Sequence, residues 1–338
     1  MSFKSLWIIF GIVWFIFLIL EIIKGVDGTL LVSLSYLSAI TQGAIAIVAI
    51  AETVRGGWIK PVKPYLLSLW PAVIFSVSLF FIFIFQLDIY PWTENQGLWL
   101  NKGFYVLRNL FLYEAICLSA WKYATESLKE SDKKYFWAVI YLFAFVAFQA
   151  NIGYDWFMPL DYPWYSSLFD AYITLEAVYS AMALIALIRF FMYLKSKDNL
   201  PEIFKKTQWD TSTIMFGFSF LWGYFLYSQV LIIWYGNLYE EFQYFLKRLE
   251  HFPVATYAIP VLLLLIPWIS LLFRKVKLTP YLMLIIALIV LFGIYLERIV
   301  IVGSVAHVNI FVSVLEITLV WFVIYITIKT GRYKFAKA

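Results

Sequence analysis

Apolar residues come in runs of roughly 18 to 25 along nearly the whole chain, and short polar links separate them. A helix of about 20 apolar residues crosses the roughly 30 Å hydrocarbon layer of a bilayer. The pattern predicts ten membrane helices, at 6–23, 29–51, 66–86, 104–123, 135–152, 165–190, 210–235, 253–273, 280–302 and 308–329. The expected fold class is an all-α integral membrane protein, one polytopic domain over 1–338. A short head carrying only Lys4 precedes the first span, with no small-residue cleavage site before the second. We therefore read span one as a retained helix rather than a signal peptide. The longest links, 87–103, 190–209 and 236–252, are too short to form domains.

Composition agrees with this pattern. The 338 residues are 63% hydrophobic and 14% charged, whereas a soluble domain is about half apolar and a quarter charged. Aromatic residues reach 21%, as expected for belts at two membrane interfaces. Charge then orients the chain. With the N-terminus in the cytoplasm, the head, the even-numbered links and the tail hold 20 of the 26 Lys and Arg residues. Both termini are expected inside. The net charge of +5 reflects this topology and not nucleic-acid binding, because the basic residues are spread over short links.

The sequence argues against resident redox groups. Cys117 is the sole cysteine, so no iron–sulfur cluster or internal disulfide can form within the chain. His251 and His307 sit at predicted helix ends, and paired haem ligands projecting into a bundle are missing. There is no phosphate-binding glycine loop and no metal-ligand cluster, so no cofactor or metal is expected on this chain.

Six carboxylates fall inside the predicted spans: Glu21, Glu114, Asp170, Glu176, Glu297 and Glu316. An ionisable residue at membrane depth is costly and is read first as functional. Glu297 and Arg298 lie roughly 25 Å along span nine, near its outer end. Asp170 opens an inward-running helix, and Glu114, Glu176 and Glu316 follow outer starts by about 8 to 11 residues. The interior therefore reads as a polar funnel from the outer face to mid-membrane. Glu114, Glu176, Glu316, Asp170, Glu297 and Arg298 are the candidate proton path. Tyr172, Glu176, Tyr179, Ser180 and Ala183 share a helical face that extends it inward. Each position also has a structural reading. Glu297 and Arg298 point about 100° apart and suit pairing with different helices. Glu114 and Glu176 suit bonding to each other or to Arg108. Glu21 suits snorkelling at an interface. Asp155, Asp161, Glu240 and Glu241 suit outer-loop contact with a partner.

The segment FSFLWGYFLYSQVLIIWYGNLYEE (218–241) has an aromatic-rich helix, Ser228–Gln229, an apolar run, Trp234, Tyr235 and Asn237, then Glu240 and Glu241. It resembles the ActF family, an integral membrane component of alternative complex III. That complex is a bacterial quinol:cytochrome c, or quinol:high-potential acceptor, oxidoreductase. GGWIKPVKPYL (56–66), WLNKGFYVLRNLFLY (99–113, with Asn101 and Arg108) and YDWFMPLDYPWYSSLFDAY (154–172, with Asp155) resemble further blocks in the same order. Tyr239 stands where that family usually has proline. YLERIVIV (295–302) is more similar to the sister membrane component of the same complex and to the wider NrfD/PsrC-like group.

The resemblance implies two four-helix bundles, approximately 29–152 and 165–302, with peripheral helices 6–23 and 308–329. It implies a cofactor-free subunit of the prokaryotic cytoplasmic (inner) membrane. Its partners would be a multihaem cytochrome c, an iron–sulfur protein and a sister NrfD-like membrane subunit. Haems and Fe–S clusters would then sit in those partners, with quinol or quinone as the complex's substrate. The role it implies is structural and proton-conducting, and the 228–241 motif becomes a candidate quinone or partner contact. Two rivals remain: a quinone-binding NrfD/PsrC-type anchor of a polysulfide, nitrite or tetrathionate reductase, with a pocket drawn from Tyr235, Asn237 and Glu297, and a secondary transporter.

Overall fold

The structure, a computed structural model, describes residues 3–196 and 201–335, with side chains at all of these but 196, 239, 240 and 332–335. Among the described residues there is no strand. In lipid a backbone has no water to bond, so each apolar run satisfies its N–H and C=O groups within a helix. The helices are α1 (Phe3–Lys24), α2 (Thr29–Thr53), α3 (Lys63–Ile89), α4 (Lys102–Leu128) and α5 (Lys134–Asn151). They continue as α6 (Phe169–Ser196), α7 (Glu202–Tyr235), α8 (Tyr239–His251), α9 (Pro253–Ser270), α10 (Pro280–Gly303) and α11 (Ile310–Phe335).

Nine helices among the described residues are long and apolar enough to span a membrane. The tenth expected span, α4, is long enough at 27 residues, but Arg108, Asn109, Glu114, Lys122 and Glu126 dilute its apolarity. It still packs as a span between α3 and α5. The chain is thus an all-α, multi-pass membrane protein of about ten helices.

Contacts close two rings. In the first, α2 packs on α3 and α5, and both pack on α4. In the second, α6 packs on α7 and α10, and both pack on α9. The rings meet chiefly where α2 crosses α6. A Cβ at Gly43 would lie 1.9 Å from the Ala177 carbonyl oxygen, so only glycine permits this approach. Helices in lipid gain little from apolar burial, and close backbone contact at small residues holds them together instead. The α2 window is 94% buried and that of α1 only 28%. Helices α1 and α11 pack on each other and on the α2–α3 side of the first ring. Phe3 meets Trp70 and Gly331 meets Ser68, so α1 starts and α11 finishes at the end that holds Lys63. That end, which also gathers the links after α2, α4, α6 and α9, is the lysine-rich end; the opposite end is called distal.

Several local features follow from single residues. Asn101 caps α4, accepting from the Gly103 and Phe104 amides at 3.0 and 3.3 Å. In α9, Pro267 has no N–H for the Leu263 carbonyl four residues back. The Tyr179 hydroxyl donates to that carbonyl at 3.0 Å, and residues Val261–Leu265 widen into a π turn. Leu263 and Leu264 then press on Gly293 and Gly223 of the flanking helices. The stretch 236–252, expected as a link, instead forms α8. Its apolar face carries Tyr244 and Arg248 onto the end of the second ring.

Candidate functional site

At the distal end of the second ring, α6 presents Tyr172 and Glu176 one turn apart. The Arg298 guanidinium of α10 reaches Glu176 Oε2 at 2.6 Å. Trp222 of α7 donates its indole N–H to Glu176 Oε1 at 3.0 Å. The Tyr172 hydroxyl donates to Glu297 Oε1 in a short bond. Glu297 and Arg298 thus meet one helix, α6, through side chains four residues apart, and not different helices as expected.

All of these groups are buried: Tyr172 is 1% exposed, Glu176 0%, Glu297 2% and Arg298 1%. Yet Glu297 Oε2 and Arg298 Nε and Nη1 have no hydrogen-bond partner among the described residues. Buried polar atoms normally find one, in protein or in ordered water. From above, α8 inserts Arg248 against the Tyr244 ring at 3.8 Å, and Tyr244 stacks on Trp164 at 3.6 Å. Burial pushes the Arg248 guanidinium down to about 10, against the attraction of Tyr172, Glu297, Glu176 and Asp161. The arrangement is a buried cluster of two carboxyls and two guanidiniums in which some acceptor and donor atoms stay unbonded. Since α6 starts at Phe169 rather than 165, Glu176 lies about 10 Å into its helix, shallower than expected.

The remaining expected site residues do not join this cluster. Glu114 is exposed, on an outward stripe of α4 with Leu107, Phe111 and Leu118, and bonds neither Glu176 nor Arg108. Glu316 faces Glu21 and Ser33 instead, in a second acid pair between α11, α1 and α2. Glu21 is 2% exposed and ion-paired with Lys24 at 2.9 Å, so it does not snorkel. Asp170 is half-buried at the distal start of α6 and binds its own Ala171 amide at 2.7 Å. The Ser180 hydroxyl on the α6 stripe donates to the Ala177 carbonyl of its own helix at 2.8 Å.

Asp155 corrects the largest misreading. Expected as an outer-loop acid for a partner, it is fully buried in a π turn, Ile152–Phe157, that continues α5. Arg108 grips it with Nε in a short bond and with Nη2 at 2.8 Å. Asn109 Oδ1 accepts from Asn151 Nδ2 and Trp156 Nε1, both at 2.7 Å. Asp161 likewise pairs with Lys247 in a short contact.

In the 228–241 motif, Gln229 is buried, Ser228 is half-buried, and Trp234 and Tyr235 are 75% and 89% exposed. Asn237 is exposed in a left-handed turn at φ 52° after α7, a conformation asparagine tolerates better than most residues. Glu241 is half-buried, and the side chain of Glu240 lies outside the described residues. Tyr235 and Asn237 therefore do not converge with the buried Glu297 on a pocket. Sequence reasoning also missed Glu52, taken as lying just beyond span two. It sits in the last turn of α2, pairs with Lys63 at 2.6 Å, and accepts from Tyr123 and Ser127 at 2.7 Å each. The lysine-rich end thus has a buried carboxylate of its own. No protein-family model and no curated protein matches the chain.

Proposed function

We propose that this chain is a cofactor-free membrane subunit of a quinol:cytochrome c (or other high-potential acceptor) oxidoreductase of the alternative complex III type. In this reading it lies in a prokaryotic cytoplasmic membrane with both termini in the cytoplasm. Its partners are a multihaem cytochrome c, an iron–sulfur protein and a sister NrfD-like subunit, which hold the redox centres and the quinol site. The chain itself is a scaffold with a proton-holding cluster near the outer face.

The observation that carries the proton role is the Tyr172–Glu297–Glu176–Arg298 cluster, buried and incompletely bonded within the protein. Two further features support membership of a complex. Glu114 sits amid an exposed apolar stripe of a membrane helix, where a lone carboxylate is costly unless a partner covers it. Trp234 and Tyr235 project, largely uncovered, at the distal end. The test is purification in mild detergent with mass spectrometry of the co-eluting chains. A multihaem cytochrome and a second NrfD-like membrane chain are the expected companions. A molybdenum-type catalytic chain with no second membrane protein would overturn the assignment.

A further inference from the structure

At the lysine-rich end of the second ring, Arg189 of α6 is 4% exposed and has no acidic partner among the described residues. Its Nη2 donates to Gln208 Oε1 at 3.3 Å, and the Phe204 ring lies 5.2 Å from the guanidinium carbon. Nε and Nη1 have no partner among the described residues. A buried guanidinium with two idle N–H edges is costly unless an anion meets it.

These atoms line a small cleft with Gln208 and Thr211 of α7 and Pro280 and Met283 of α10. The Thr211 hydroxyl is 1% exposed in its residue and also unpartnered. Gln208 is an uncharged amide and cannot neutralise the cleft; its Oε1 accepts from Arg189 and its Nε2 donates to the Lys277 carbonyl at 3.0 Å. The first turn of α10, with proline at its start, adds the positive end of a 24-residue helix. The cleft has room for one water-sized group, and the half-buried Pro280 lies at its wall. The helix ends on either side of it carry exposed Lys195, Arg274 and Lys275; of the acids close in sequence, Glu202 pairs with Lys205 at 3.4 Å and Asp210, beside Thr211, is half-buried.

We propose that this cleft is an anion site that takes one oxygen of a phosphate group, with Arg189 as the charged donor and Thr211 as the second donor. The phosphate belongs to a lipid headgroup or to free inorganic phosphate; the donor set is the same for both. The site goes beyond the functional reading above and borrows from it only the orientation that puts it in the cytoplasmic leaflet, where anionic lipids concentrate.

The test uses the full-length chain in mild detergent, titrated with dihexanoylphosphatidylglycerol, with dihexanoylglycerol (the same lipid without phosphate) and with inorganic phosphate. Native mass spectrometry counts bound lipid and thermal melting reports the gain in stability. The phosphatidylglycerol is expected to bind with one-to-one stoichiometry and raise the Tm, and the phosphate-free lipid to do neither. Arg189→Gln is expected to weaken binding about tenfold or more, as loss of a charge-assisted bond does. Thr211→Val, which keeps the buried charge, is expected to weaken it less, and Lys195→Gln on the nearby surface to leave it unchanged. If inorganic phosphate alone raises the Tm and displaces the lipid, the site stands and its ligand is the free ion. The proposal is overturned if both lipids behave alike on the wild type with no response to phosphate. It is equally overturned if Lys195→Gln costs as much as Thr211→Val, or if Arg189→Gln folds and binds as the wild type does.

Discussion

Two buried arginine–carboxylate pairs sit near the distal end, one in each ring, and they are built in opposite ways. In the first ring, all three arms of Arg108 are used: Nε and Nη2 on Asp155, and Nη1 on the Trp99 carbonyl at 2.6 Å. Asn109, Asn151 and Trp156 complete the shell, and the Tyr90 hydroxyl donates to the Trp156 carbonyl at 2.9 Å. In the second ring, Arg298 uses only Nη2, and Glu297 keeps a free oxygen. A fully satisfied network in low dielectric fixes one geometry, whereas a partly satisfied one leaves room for water and protons to move. The same residue types can thus be a rivet or a working site, and bond completeness separates the two.

The comparison breaks most visibly at the rivet. Asp155→Leu leaves Arg108 buried and uncompensated and is expected to cost about 3–5 kcal/mol, read as a loss of thermal stability. The double change Arg108→Met with Asp155→Leu should recover most of it; no recovery would mean the pair does more than hold shape. At the seam between the rings, Gly43→Ala forces a methyl onto the Ala177 carbonyl and is expected to cost about 3 kcal/mol. A near-normal melting curve would show that the helices can part there. In the second ring, Glu176→Gln leaves Glu297 beside Arg298, so a smaller cost of about 1–2 kcal/mol is expected. Its main effect should be slower proton release per quinol oxidised by the assembled complex. Unchanged rate and stoichiometry would reduce the cluster to interhelical bonding.

The smallest effect lies outside the membrane. Lys134 and Lys63 hold the Glu130 carboxyl down to about 2 from an ordinary 4.5. A depressed carboxyl stabilises the fold above its unfolded value and loses that contribution as pH falls through the folded one. Between pH 4.5 and 2 the wild type should therefore lose slightly more stability than Glu130→Gln. Glu130 is 65% exposed, so the difference should stay below about 1 kcal/mol. Parallel acid melts of the two proteins would check it.

The spans were legible because hydropathy reports position along a helix. It reports nothing about which way a side chain turns. Glu114 and Glu176 lay at similar depth in sequence, yet one faces outward and the other is wholly buried. Only the neighbours of α4 and α6 decide that. Asp155 looked like a loop residue because the predicted span five ends at 152, but a π turn carries the helix through. Arg189 was counted as a link charge because it stands at the predicted end of span six, whereas α6 runs to Ser196. The signal for α8 was the spacing of Phe242, Phe245, Leu246 and Leu249 at i, i+3, i+4 and i+7, and it lay in a stretch too polar to read as a span.

The burial of α2 carries a consequence for how the molecule is made. This helix is enclosed on nearly all sides, and it brings Ser33, Ser38, Thr41 and Gln42 into the interior. Three of its neighbours, α6, α10 and α11, lie far downstream in the chain. Ribosomes add about 5–20 residues per second. Helix α2 therefore waits on the order of ten seconds for α6, with its hydroxyl and amide groups facing lipid or the insertion machinery. Chain entry into the membrane and completion of the fold are separate events here, and the second needs the C-terminal half. A truncation after the first ring would leave an inserted but unfinished protein, a natural substrate for membrane quality control.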